Sequence, residues 1–110
     1  MSFAGFVGVR YQGEKFCREL ARQILAAHGI PMPLVDQPGE ASGWARVALP
    51  AALDVVVFNR AGRPAHVGVC VDASRFLHVE EGRRSQIDRL SAPHWAARIE
   101  GFYRYQGTRA

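Results

Sequence analysis

Between residues 16 and 28 the chain reads FCRELARQILAAH, and its apolar positions recur at three- and four-residue steps. Cys17, Leu20, Ala21, Ile24 and His28 share one face, while Arg18, Glu19 and Arg22 point elsewhere, so the pattern predicts an amphipathic helix. Gly29 follows as a natural residue to end it, and Pro31 and Pro33 prevent continuation. The start is less well marked. Gly13-Glu14-Lys15 offers no Ser, Thr, Asp or Asn cap, although Glu14 suits the positive end of the helix dipole.

Residues 31–50, rich in Pro and Gly, predict a loop with Trp44 as its anchor. From residue 54 the period changes. DVVVFN (54–59), AHVGVCV (65–71), RFLHVE (75–80), SQIDRL (85–90) and IEGFYRY (99–105) read as five strands. Ala61-Gly62-Arg63-Pro64 and Asp72-Ala73-Ser74 supply turns, and Ser91-Ala92-Pro93 opens a short helix through Trp95 with proline in its first turn. One helix followed by an antiparallel meander predicts an α+β fold, the helix packed on one face of the sheet. No internal repeat is visible, and 110 residues suit a single domain over 1–110.

Composition narrows the class. Apolar residues make up 48% of the chain and no charged or low-complexity tract dominates, which excludes a disordered protein. The two cysteines, Cys17 and Cys70, form no CxxC pair and are too few for a disulfide framework. The first nine residues lack the basic segment of a secretion signal, and no apolar run reaches membrane-spanning length. The expectation is a product of the cytoplasm with free thiols and no membrane contact, virion-associated or exported by another route if it acts outside. The net charge of +4 is almost all arginine, Lys15 being the only lysine, and favours polyanionic surroundings. A basic module for nucleic acid or wall polymer is one reading of it. Yet the arginines are dispersed and lack aromatic interleaving, which argues against nucleic acid.

The candidate chemistry starts at Cys17. A thiolate is favoured at a helix N-terminus and beside an imidazolium, and Cys17 falls in the first turn of the predicted helix. Cys70, between Val69 and Val71 in a strand, reads as a small core hydrophobe. His66 and His78 fall on consecutive strands. In a hairpin centred on Asp72 they lie opposite one another, and an odd-numbered loop at Asp72-Ala73-Ser74 turns both to one side. His66 is then the base that returns a proton to the leaving amine, His78 orients it, and helix-start N–H groups near Cys17 stabilise an oxyanion. The bland alternative is one buried, satisfied histidine and one on the surface. Zinc is the other: His66 and Cys70 are too far apart along one strand, at roughly 13 Å, but Cys17, His66 and His78 remain an open three-ligand set.

These residues resemble the NlpC-type cell-wall cysteine peptidases, a papain-like family, and its compact phage-tail branch. The matching stretches are Tyr11-Gln12-Gly13, Phe16-Cys17, Leu53-Asp54-Val55-Val56-Val57-Phe58, His66-Val67-Gly68-Val69-Cys70-Val71 and Arg75-Phe76-Leu77-His78-Val79. The tail is similar too, in Ile87-Asp88-Arg89-Leu90, Trp95 and Gly101-Phe102-Tyr103-Arg104. The resemblance implies a papain-like fold without a cofactor or metal. It implies hydrolysis of a peptidoglycan stem-peptide amide, typically between D-glutamate and the diamino acid. Cys17 would be the nucleophile, His66 the base and His78 the third member, with Tyr11 beside the oxyanion site. The sequence departs from the family at Phe16, Arg18 and Leu53, where Asp, Ser or Trp, and Gly are usual. Lys15 and Arg18 would favour an anionic substrate group. The peptidoglycan peptide is the implied partner, with other phage tail proteins beside it. A catalytically idle tail or assembly component is the alternative.

Overall fold

The structure is a computed structural model and describes residues 2–32 and 43–107. Helix α1 (Phe16–Ala26) precedes six strands: β1 (Trp44–Val47), β2 (Val55–Arg60), β3 (Arg63–Cys70), β4 (Arg75–His78), β5 (Gln86–Arg89) and β6 (Ile99–Tyr105). A short helix, α2 (Pro93–Ala96), lies between β5 and β6. The strands form one antiparallel sheet in the order β1-β6-β2-β3-β4-β5. This is the α+β arrangement that the pattern predicts.

Strand alternation divides the core into two layers. Val55, Val57, Val69 and Leu77 face α1, where Phe16, Leu20, Ala21, Ile24 and Leu25 bury against them. Val56, Phe58, Cys70 and Phe76 face the other way, onto Leu90 and Trp95. β2 therefore reads as a continuous apolar run because both of its sides are covered.

α1 ends two residues before the predicted boundary. Gly29, at φ +75°, turns the chain, and the Ile30 N–H donates to Leu25 O at 2.9 Å. At the start Lys15 takes a left-handed conformation (φ 54°) and gives no side-chain cap. The Tyr11 hydroxyl accepts the Phe16 N–H instead, at 3.2 Å. Pro33 lies outside the described residues, as do residues 34–42 of the predicted loop.

Trp44 corrects the rest of that loop. It opens β1, which pairs with β6 in the register Trp44↔Tyr105, and the two rings pack at 5.6 Å. WARV carries no β-branched run, so its extended form comes from a partner strand at the far end of the sequence. The β2–β3 turn is tighter than the expected Ala61-Gly62-Arg63-Pro64. Ala61 and Gly62 alone make it, both at positive φ as a two-residue type I′ turn requires, and Arg63 and Pro64 already belong to β3, paired with Arg60 and Asn59.

The β3–β4 hairpin needs a second correction. Its register is Val69↔Leu77 and Cys70↔Phe76, and the Val71 N–H donates to Arg75 O. The loop is the odd-numbered Asp72-Ala73-Ser74, but its centre is Ala73. One Asp72 carboxylate oxygen accepts both the Ser74 and Arg75 N–H groups, at 2.9 Å each, and this fixes the loop. His66 and His78 are therefore diagonal neighbours rather than an opposed pair. A slip of two residues preserves the face, so both still point to the Trp95 side. Among the described residues, no helix is long and apolar enough to cross a membrane.

Candidate active site

On the Trp95 side of the sheet, His66 Nε2 and His78 Nδ1 are 2.8 Å apart. His78 Nε2 lies 2.6 Å from Asp88 Oδ2, a residue of β5. The register His78↔Gln86 and Phe76↔Asp88 puts all four on one face, with Asp88 diagonal to His78. The Gln86 amide also donates to Asp88 Oδ2, at 3.1 Å.

Aromatic rings hold the pair in place. Trp95 stacks on His66 at 5.3 Å with a 22° interplanar angle, and Phe58 lies 5.8 Å away. Trp95 also meets the His78 ring edge-on at 4.8 Å. The Arg98 guanidinium sits 5.3 Å from the Trp95 ring centre, within cation–π range. His78 is 2% exposed, so its ring nitrogens depend on these protein partners rather than on water.

Burial sets the charge of both rings. It pushes the His66 pKa down to about 3, helped by the nearby His78 ring, which disfavours a second charge beside it, and by the Arg98 and Arg60 cations. The His78 pKa is also lowered, mainly by burial, while its hydrogen bond to Asp88 opposes the shift. Both imidazoles are therefore neutral at neutral pH, and the His78–Asp88 contact is a hydrogen bond to a carboxylate rather than an ion pair.

Cys17 occupies the first turn of α1, half-buried, and packs at the margin of the α1 layer. On β3, Val67 belongs to that layer and the adjacent His66 to the other side. Among the described residues, no hydrogen bond joins the Cys17 thiol to either imidazole. The structure thus brings His66 and His78 together and leaves Cys17 outside their hydrogen-bonded chain. Tyr11 does reach the start of α1, through Phe16 N–H one residue before the thiol. Arg18, half-buried, follows the thiol on α1.

Cys70 is fully buried on the Trp95 side, and burial raises its pKa to about 12, as suits a core thiol. No group of three or more His, Cys, Asp or Glu among the described residues is arranged to hold a metal, so Cys17, His66 and His78 do not converge as ligands. Sequence reasoning missed Asp88 as a member of the site. Nothing in the sequence gives the β4–β5 register that places it: Asp88 shares the face because it lies two residues on from Gln86, the partner of His78.

The family model described as "NlpC/P60 family" matches residues 9–104. No curated protein sequence matches the chain. Two solved structures share the fold. One is a protein similar to lipoprotein of the NLP/P60 family from Staphylococcus aureus subsp. aureus Mu50, with TM-score 0.75 and 19% identity over 94% of this chain. The other is an NLPC/P60 family protein from Bacillus cereus ATCC 10987, with TM-score 0.76 and 23% identity over 93% of this chain. The chain spans 39% and 37% of the lengths of these two proteins.

Proposed function

The chain belongs to the NlpC/P60 family, and from that premise we propose that it is a cysteine peptidase or amidase acting on peptidoglycan stem peptides. The observation that carries the reading is the 2.8 Å contact between His66 Nε2 and His78 Nδ1. A base held by a second polar group is what nucleophilic catalysis by a thiol requires.

In this reading His66 Nδ1 takes the Cys17 thiol proton as the sulfur attacks the amide carbonyl carbon. A C–S bond forms and the carbonyl electron pair moves onto oxygen, beside N–H groups of the first turn of α1. Tyr11 orders that turn. Collapse breaks the C–N bond, and the amine leaves with the proton from His66. Water then gives a proton to His66 and attacks the thioester, and cleavage of C–S releases the acid and restores the thiol. The low pKa of His66 disfavours a standing thiolate–imidazolium pair. Lys15 and Arg18 beside the thiol suit a stem-peptide carboxylate.

The idle phage tail or assembly component is the competing reading. It draws on the thiol standing outside the hydrogen-bonded chain and on Phe16 and Arg18 flanking it. Incubation with purified stem peptides separates the two. The enzyme reading expects amide cleavage that disappears in Cys17→Ala and His66→Gln while the circular dichroism spectrum is retained. A wild-type chain that leaves every stem peptide intact decides for the idle component.

A further inference from the structure

We propose that Asp88 is a positioning residue that fixes the tautomers of His78 and His66 together, so that the bare lone pair of His66 falls on Nδ1. The inference rests on the reading in which His66 is the base.

The argument follows the protons. A carboxylate offers only lone pairs, so His78 Nε2, at 2.6 Å from Asp88 Oδ2, must carry the hydrogen between them. Neutral imidazole has one N–H, which leaves His78 Nδ1 as an acceptor. His66 Nε2, at 2.8 Å, is then the donor to it, and by the same rule His66 Nδ1 is bare. That is the nitrogen a base needs free.

Two histidines alone would not make this choice. Their N···N contact is satisfied equally well with the hydrogen on either side. The reversed arrangement puts the His78 hydrogen on Nδ1 and the His66 hydrogen on Nδ1 as well, where it would block proton uptake from a thiol. Asp88 breaks the symmetry. Glu80, His94 and His66 also act on His78 electrostatically or through its ring edge, but Asp88 is its carboxylate partner in hydrogen-bond contact. The Gln86 amide holds the accepting oxygen, and Trp95 packs on both rings. A buried ring has no water to supply the missing partner.

The test is the tautomer itself. In the full chain labelled with 15N-histidine, long-range 1H–15N correlation spectra at pH 7 distinguish a protonated ring nitrogen from a bare one. The wild type should show both His66 and His78 protonated at Nε2 and bare at Nδ1. In Asp88→Ala the preference should be lost, and His78 and His66 should together populate the form with the proton on Nδ1 beside the wild-type form. kcat on a stem peptide should drop by at least about two-fold, the share of molecules that lose the bare Nδ1, with KM little changed, and Asp88→Glu should recover part of the loss. A wild-type spectrum with the proton on His66 Nδ1 overturns the proposal, as does Asp88→Ala with both tautomers unchanged. If Asp88→Ala does not fold, the wild-type spectrum decides alone. The readout needs no turnover: expected tautomers in a chain that cleaves nothing overturn the proposed activity and not the role of Asp88.

Discussion

His78 packs across β3 against Gly68, and the missing side chain there makes room for the His66–His78 pair. A Cβ at position 68 would stand 2.8 Å from Phe76 Cδ2, 3.1 Å from Leu77 O and 3.2 Å from His78 Cβ. Gly68 does not have a positive φ, so this glycine serves close approach rather than an unusual backbone conformation.

Gly68→Ala should therefore destabilise the fold by about 1–3 kcal/mol, the usual cost of forcing an extra methyl into a packed layer. The Phe76 ring must swing away, while Leu77 O is held in the sheet. The His78 ring should shift with it, lengthening the contact to His66. Urea unfolding measures the first effect, and a midpoint equal to wild type would refute it.

Most of this architecture was legible because local signals and tertiary demands agree. β2 and β3 carry β-branched runs flanked by turn residues, and α1 carries a continuous apolar face. β1 was not legible: Trp44-Ala45-Arg46-Val47 is extended because Tyr105, Arg104, Tyr103 and Phe102 pair with it. The shared face of His66 and His78 followed from strand alternation together with an odd-numbered loop, but their exact pairing depended on the loop centre, which Asp72 shifts by one residue through its hydrogen bonds. Asp88 could be placed only once the β4–β5 register was known. The relation of Cys17 to His66 lies beyond sequence for a different reason. It depends on how a helix end meets a strand across the edge of two layers, and no periodicity encodes that.

Burial of neutral histidines makes stability depend on pH. The unfolded chain protonates His66 near pH 6.5, whereas the folded chain resists protonation down to about 3. Between those values the unfolded state binds more protons, so stability is fully present above pH 6.5 and is lost as pH falls toward 3. His78, also lowered, acts with the same sign. The His66 contribution is at most about 5 kcal/mol. Urea unfolding at pH 7.5 and 4.5 should show a large loss at the lower pH, and His66→Gln should reduce the difference. Equal slopes in the two proteins would remove His66 as the cause.

Asp54 and Arg104 should matter to the sheet more than an exposed ion pair would. Asp54 is 1% exposed and receives two guanidinium bonds from Arg104, at 2.9 and 2.8 Å, and the Ala51 N–H at 2.7 Å. Arg104→Ala leaves a buried carboxylate without its cation. Because the Arg104 side chain is itself partly exposed, the expected cost is about 2–3 kcal/mol, below that of a fully buried pair. Thermal unfolding at neutral pH checks it, and a change under about 0.5 kcal/mol, typical of surface substitutions, would contradict it.

The two thiols should differ sharply in reactivity. Cys70 is fully buried, and burial with the nearby Asp54 and Asp72 carboxylates raises its pKa to about 12. An alkylating agent at pH 8 meets almost no thiolate there and has no path to it without opening the sheet. Cys17 is half-buried on the first turn of α1, with its thiol in no hydrogen bond to an imidazole among the described residues. Iodoacetamide on the folded chain should therefore modify Cys17 alone, and both cysteines once urea unfolds the protein. Intact-mass spectra count the additions and peptide mapping assigns them. Labelling of Cys70 in the folded chain at a rate near that of Cys17 would mean that the Trp95 layer opens far more readily than its packing allows.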